Sequence, residues 1–341
     1  MLTNITLQAF KSFRDKENIS LSQLTVITGI NSSGKSSIIQ AIRILEKLIQ
    51  TENLNMSIPE GHGGLKEILN DASAPDDFLL GFKVADGEFS FAQTVNRIGN
   101  PHMPQSIFIS ADRFGPRPAI KIKDSTEIDS KGENLLHFLD SINDVILPDN
   151  VQHPNAEKKT LLANVSAWIN EISPGSSFKY VLEEKADTSF TLFNEHRANN
   201  VGFGISYTLP IIVALLAASI EGRRKLVMLE NPEAHLHPKG QSKIAELICK
   251  VASSGTQVIL ETHSDHIVNG IRVNCLRYEK GGTGINRSDV RILHVFQDLM
   301  DFNGPSSHII PVTIEDGGKI FDAPEDFFDQ YNIDRKELLG F

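Results

Sequence analysis

Residues 29–36 read Gly-Ile-Asn-Ser-Ser-Gly-Lys-Ser, a G-x-x-x-x-G-K-S element set between a short apolar run and a long amphipathic one. No other feature constrains the fold as tightly. The β-branched run 24–28 (Leu-Thr-Val-Ile-Thr) predicts a strand. From 35 to 50, Ile38, Ile39, Ile42, Leu45, Leu48 and Ile49 recur at helical spacing. A strand, a Gly-rich turn and a helix in that order aim successive backbone N–H groups and a helix N-terminus at one point, an arrangement suited to a chain of phosphates. Gly29 and Gly34 permit the tight turn and close backbone approach. Lys35 supplies a point charge for the β- and γ-oxygens, and Ser36 is placed to ligate Mg²⁺, with Asn31, Ser32, Ser33 and Ser37 completing the cradle. The ligand so implied is a nucleoside triphosphate, ATP with Mg²⁺.

The rest of the composition narrows the classes of function. A formal net charge of −10 argues against a protein that coats nucleic acid through its global charge, so nucleic acid is not indicated as a partner. The short basic clusters at 158–159 and 223–225 read as solvated surface. Cys249 and Cys275 are too few for a disulfide framework or a cysteine zinc site and read as small core residues. The N-terminus lacks a signal-peptide pattern, and the most apolar run, 209–218, is about half a bilayer span. A cytoplasmic chain with no membrane partner is expected.

Along the chain the pattern predicts a strand over 3–10, the 24–28 strand, and a helix over 35–50. A loop over 51–75 with a short helix near 65–69 follows, then a hairpin of 78–84 and 89–95 turning at Asp86-Gly87. A strand at 106–110 precedes two helices over 133–146 and 156–172 and strands at 180–184 and 190–193. Alternation of helix and strand then resumes: helix 205–220, strand 226–230, helix 239–253, strand 257–261, helix 265–274.

Two strand ends carry chemistry. The run 226–230 ends in Glu230, followed by Asn231-Pro232-Glu233, and a phosphate-loop site needs a carboxylate for its Mg²⁺ and a group that orients water. The run 257–260 leads into Glu261-Thr262-His263-Ser264, a polar tetrad at the strand end where ligands bind in open α/β sheets. His263 is suited to sense a γ-phosphate or its attacking water. The pairs His235-x-His237 and His263-x-x-His266 have spacing compatible with zinc but fall within these two segments.

Taken together these segments resemble ABC-type ATPases of the SMC/RecF/OLD group. The opening residues 5–13 and the 24–29 strand are similar to that group's N-terminus, with Lys11 and Ser12 in the segment that lies over the nucleotide. Residues 230–238 resemble its Walker B and D-loop, and 261–264 its switch-histidine loop. Residues 201–210 (Val-Gly-Phe-Gly-Ile-Ser-Tyr-Thr-Leu-Pro) stand where its signature motif stands. Residues 110–117 and the tail 323–330 resemble a bacterial AAA-family subgroup with a C-terminal domain of unknown function. Members of that subgroup are often encoded beside effector genes, including anti-phage modules.

The resemblance implies an α/β fold, an ABC-type P-loop ATPase head with a mixed sheet, flanking helices, an antiparallel β arm and a short helical insertion. It divides one ATPase domain into an N-terminal lobe (1–55), an insertion (56–200), a second lobe (201–300) and a family-specific tail (301–341). It implies an ATP-sandwiched dimer or higher oligomer, in which Gly202, Gly204 and Ser206 of one copy meet ATP held by another, the Ser206 hydroxyl included. It further implies a separate effector protein such as a nuclease. Glu230 takes the Mg²⁺ role with Ser36. The group's usual glutamate after the Walker B acid is replaced by Asn231, which cannot act as a base, so Glu233 is the candidate substitute and hydrolysis is expected to be slow. Two other readings stay open: an ATP-binding scaffold with negligible turnover, and a repair or end-sensing ATPase acting on duplex DNA. No nuclease site is expected in this chain. Arg113 and Arg117 follow a strand, and Arg113 has three readings: nucleotide contact, contact with a second subunit, or a cap on the β arm. The pair Phe327-Phe328 is read as docked core.

Overall fold

The computed structural model describes residues 1–92, 101–122, 125, 127–222, 225–302 and 304–340. Residues 93–95 of the expected hairpin and Arg223-Arg224 of the basic cluster lie outside them. The chain forms two compact units, one of residues 1–105 and 287–341, the other of residues 106–286.

The first unit opens with β1 (Leu2–Gln8), β2 (Glu17–Ser20) and β3 (Leu24–Thr28), then α1 (Lys35–Thr51) and the single-turn helices α2 (Leu54–Ser57) and α3 (Leu65–Ile68). β4 (Leu79–Val84) and β5 (Gly87–Ala92) follow. β1 pairs antiparallel with both β2 and β4, and β4 with β5. All five residues of β3 are buried, as a run of β-branched and aliphatic side chains requires. α1 buries Ile38, Ile39, Ile42, Leu45 and Leu48 along one face and ends at Glu52 in a left-handed conformation.

The second unit starts with β6 (Ser106–Ile109), β7 (Ile120–Lys121), α4 (Leu135–Ser141) and α5 (Leu161–Ile172). The antiparallel strands β8 (Phe178–Glu183), β9 (Thr188–Phe193) and β10 (His196–Arg197) come next. α6 (Phe203–Ala218), β11 (Leu226–Glu230), α7 (Pro238–Ser253), β12 (Gln257–Glu261) and α8 (Asp265–Gly281) complete it. β11 lies between β6 and β12 and runs parallel to both, which puts Glu230 and Glu261 opposite each other at the C-terminal strand ends. α6 is apolar on all sides and buried from Thr208 to Ala218, so it is an internal helix rather than a membrane one. Among the described residues no helix is long and apolar enough to cross a membrane.

The last stretch returns to the first unit as β13 (Val290–Asp298), β14 (Ser306–Val312) and α9 (Gln330–Leu338). β13 pairs parallel with β3 and antiparallel with β14, which makes this sheet mixed. These strands were not foreseen, and they tie the residues after 287 to the N-terminal lobe instead of leaving them as a tail. The boundary at 105/106 likewise assigns the β4–β5 hairpin to the first unit and the helical insertion to the second. Helices α4 and α5 begin two and five residues later than expected, because residues 133–134 are a turn, 157–159 bend and Thr160 forms a β-bridge with Ile146.

Candidate functional site

In the first unit the phosphate loop has the conformation its sequence demands. Gly29, Ser32 and Gly34 all have positive φ, at 140°, 63° and 106°. A Cβ at Gly29 would lie 2.1 Å from the Val295 carbonyl, and one at Gly34 would lie 2.6 Å from Ser12 Oγ and 2.9 Å from Ser307 Oγ. Glycine is therefore required twice, for φ and for space. α1 begins directly on Gly34, an N-cap with no side chain to bond its first turn, and such a helix N-terminus is suited to an anion. Lys35 is buried, and its Nζ donates to the Ile30 carbonyl across the loop. Ser37 N–H donates back to Gly34 O, while Asn31 and Ser32 are exposed on the loop and Ser33 is buried beneath it. Burial holds the pKa of Lys11 below the ordinary lysine value, and its Nζ donates to Gln40 Oε1 on α1. These features fit a triphosphate: glycine-shaped space, uncapped amides and buried cationic charge.

A second layer supports the loop and was not legible beforehand. Ser307 on β14 donates its N–H to the Ser12 carbonyl at 2.8 Å and its hydroxyl to the Ser33 carbonyl at 2.7 Å. Below it, His294 Nδ1 lies 3.4 Å from Thr28 Oγ1. Phe327 packs edge-on against His294 and Phe328, as the docked-core reading expected. The run 290–296, rich in β-branched and aromatic residues, was the available signal for β13.

In the second unit Glu230 is held where the sequence put it. Its Oε2 accepts from Ala111 N–H at 3.0 Å and from the Ser110 hydroxyl at 3.3 Å. Asn231 has φ 46°, and its N–H donates to the Glu261 carbonyl at 3.0 Å. Its Oδ1 is buried with no hydrogen-bond partner among the described residues. Glu233 Oε1 accepts the main-chain N–H of His263 at 2.8 Å. Burial raises the Glu233 pKa, opposed by the His263 amide, the Thr262 hydroxyl and the Arg113 charge. The His263 ring is exposed, with Nε2 4.0 Å from Glu261 Oε1. Ser264 caps α8 through Ile267 N–H. Ser36 belongs to the first unit and Glu230 to the second.

The remaining histidines have other roles. His235, at φ 62°, packs at a tilt against Tyr207 with ring centroids 4.5 Å apart, and against Phe203 at 6.0 Å. His237 caps α7 by accepting from Lys239 N–H. His266 Nε2 lies 3.7 Å from Asp265. Among the described residues only Asp15, Asp301 and His308 group as metal ligands do, and there Arg14 already bonds both carboxylates.

The expected signature segment forms the start of α6. Gly202 is its N-cap, exposed, with no side-chain cap on the first turn. Gly204 is close-packed, since a Cβ there would meet the His235 carbonyl at 2.7 Å. Ser206 turns inward: its Oγ is buried and the residue lines a small pocket with Phe114, Pro116, Leu209 and Pro210. A hydroxyl in the fourth helical position falls on the core side of this helix, so in this chain it is not presented to solvent as the resemblance implied. Arg113 reaches neither solvent nor the β arm; four main-chain carbonyls occupy it. Arg117 lies over the Phe114 ring at 3.8 Å.

The fold is that of an ABC-type P-loop ATPase head. Within that class, residues 1–150 match a family described as "AAA ATPase domain", and residues 116–269 one described as "AAA domain, putative AbiEii toxin, Type IV TA system". Two solved structures are similar in fold. An SMC head bound to the C-winged helix domain of ScpA has 15% identity and a TM-score of 0.55 over 92% of this chain and 98% of that one. An SMC head from Pyrococcus furiosus, with an extended coiled coil and bound to the C-terminal domain of ScpA, has 14% identity and a TM-score of 0.52 over 100% and 99%. No curated protein matches the chain. The two domain matches support an ATPase domain, and the SMC heads show the fold.

Proposed function

We propose that the chain binds ATP with Mg²⁺, hydrolyses it slowly, dimerises on it, and uses that change of state to regulate a separate effector protein, as in an anti-phage module. The observation that carries the reading is the glycine-lined loop around the uncapped start of α1, with Lys35 buried at its base. When bound, Mg²⁺ would neutralise phosphate charge; Ser36 is the residue of the first unit suited to hold it, and the Mg²⁺ role of Glu230 in the second unit is carried over from the resemblance alone. Dimerisation is supported by a second uncapped, glycine-initiated helix, α6, whose exposed first turn offers N–H groups to a nucleotide held by another copy.

Because the Ser206 hydroxyl is buried, the backbone at 202–204 is assigned the contact. A Cβ at Gly202 meets no atom within 4 Å, so Gly202→Glu is expected to leave the monomer folded and to place a carboxylate against the phosphates. Sedimentation with ATP and Mg²⁺ is expected to show dimerisation weakened about tenfold or more in Gly202→Glu, since like charges at a contact cost several kcal/mol. Ser206→Ala should stay close to wild type. Equal dimerisation of Gly202→Glu and wild type would sink the reading.

The partner protein is supported by surface chemistry. Nine of the sixteen large apolar side chains exposed among the described residues fall between Leu299 and Leu339, including Met300 and Phe302 at a hairpin tip and Leu338 and Leu339 at the end of α9. Exposed apolar side chains gathered in one stretch of the chain suit contact with a partner, and the two similar SMC heads are each solved with a ScpA domain. Replacing Leu299, Met300 and Phe302 together by serine is expected to abolish co-purification with the product of a neighbouring effector gene while ATP binding is kept. Unchanged co-purification overturns this assignment. The scaffold reading is favoured by Asn231 alone; a steady-state turnover indistinguishable from zero would select it.

A further inference from the structure

We infer that Arg113 is a positioning residue that fastens the first turn of α6 to the exit of β11, so that the helix end facing a second copy and the acidic segment 230–233 move as one piece. This deepens the ATPase reading above and rests on it.

Arg113 is 3% exposed, and every guanidinium nitrogen is used on main chain. Nε donates to Tyr207 O at 2.7 Å, Nη1 to Ser110 O at 3.0 Å and Glu230 O at 2.9 Å, and Nη2 to Asn231 O at 2.8 Å. These carbonyls come from three segments: the loop after β6, the end of β11 and α6. Among the described residues Arg113 is the one side chain that bonds all three. Burial lowers its pKa to about 10, so it stays charged at neutral pH, and Glu233, Tyr207 and Glu230 act in the opposite direction. A planar fork of donors suits this task, whereas an ammonium is a point charge that cannot span divergent carbonyls.

α6 needs such a fastening. Pro210 lies inside it and has no N–H for the Ser206 carbonyl, so residues 203–207 are joined to the rest of the helix by a weakened ladder. The first turn is instead held sideways. The Tyr207 ring lies 5.6 Å from the Arg113 guanidinium, His235 packs at a tilt against Tyr207, and Gly204 lets the helix rest on the His235 carbonyl. Movement of the α6 N-terminus on meeting another copy is thereby passed to the Glu230–His235 segment through Arg113 and its neighbours. Arg113 touches no reacting atom in this scheme.

The test uses the full chain with Arg113→Lys and Arg113→Ala, with ATP–Mg²⁺ as the probe. Calorimetric ATP binding to the monomer should stay within about threefold, while kcat falls roughly tenfold to a hundredfold with KM little changed, the pattern of an interaction realised after binding. ATP-driven dimerisation should weaken in parallel with kcat. Added methylguanidinium should restore part of the Arg113→Ala turnover but none of Arg113→Lys, whose ammonium fills the site; a purely structural loss would show no such difference. Wild-type kcat and dimerisation in Arg113→Lys would overturn the assignment, as would parallel loss of ATP binding. If the unmodified chain itself shows no turnover, the hydrolysis reading fails and dimerisation alone decides the role of Arg113.

Discussion

Lys35→Ala is expected to weaken ATP binding roughly a hundredfold while leaving the fold intact. Lys35 is the first residue of α1, 3% exposed, and its ammonium reaches back over the loop to the Ile30 carbonyl. The charge is already held in place and largely stripped of water before any phosphate arrives. Removing one partner of a buried, hydrogen-bonded charge pair costs about 2–5 kcal/mol, which is between roughly thirtyfold and several thousandfold in Kd. Alanine is a good helix former, so α1 should persist with its apolar face buried as before. Titration calorimetry with ATP and Mg²⁺ measures the loss, and thermal melting in the absence of nucleotide checks the fold. A Kd within threefold of wild type would remove the phosphate loop from the centre of the reading. A Cβ at Gly34, by comparison, combines φ 106° with an approach of 2.6 Å to Ser12 Oγ, so any loss there reports on folding as well as on binding.

How much of this was legible depended on whether a residue's partners are near in sequence. The strand 24–28, the loop and the start of α1 lie within one continuous stretch, and each carries its own local signal: a β-branched run, glycines at fixed spacing, a helical period. The strands ending in Glu230 and Glu261 were legible for the same reason. Ser307 was not, because its bonds to Ser33 in the phosphate loop and to Ser12 beside it cross 274 and 295 residues and nothing in the local sequence 306–312 announces them. The Arg14 link to Asp301 and the Gly304 carbonyl is similarly remote. The Ser206 expectation rested on a motif's position without its helical phase, and a shift of one or two residues along a helix decides whether a hydroxyl faces solvent or the pocket beside Pro210. Arg113 stood out as a charge near a strand end, but only the fold could show that its partners are carbonyls.

Glu233→Gln is expected to lower turnover by about a hundredfold or more, the range in which a positioned general base contributes. The substitution keeps the shape and the acceptor for the His263 amide, which Glu233 Oε1 binds at 2.8 Å, and removes the ability to take a proton. Asn231 is no substitute: an amide is not a base at neutral pH, and the left-handed backbone at φ 46° suits asparagine. Placing glutamate at 231 would cost roughly 1 kcal/mol of backbone strain, so Asn231→Glu is not expected to restore a faster enzyme. Burial raises the Glu233 pKa, and the base must be ionised, so wild-type kcat should fall as the pH drops through that raised value, with the acidic limb absent from the Gln variant. The stability effect has a definite sign. Because the folded pKa lies above the unfolded one, the protonated carboxyl's contribution is fully present below the ordinary glutamate range and is lost as the pH rises through the folded value. Glutamine stays neutral throughout, so the nucleotide-free Gln variant should gain thermal stability over wild type at neutral pH, with the gain shrinking under mild acid. Steady-state ATPase assays and melting curves across that range test both halves together. Intact turnover in Glu233→Gln would reject it as the base, whereas intact turnover with the predicted stability change would leave a buried, proton-holding Glu233 whose role is to fix the His263 loop.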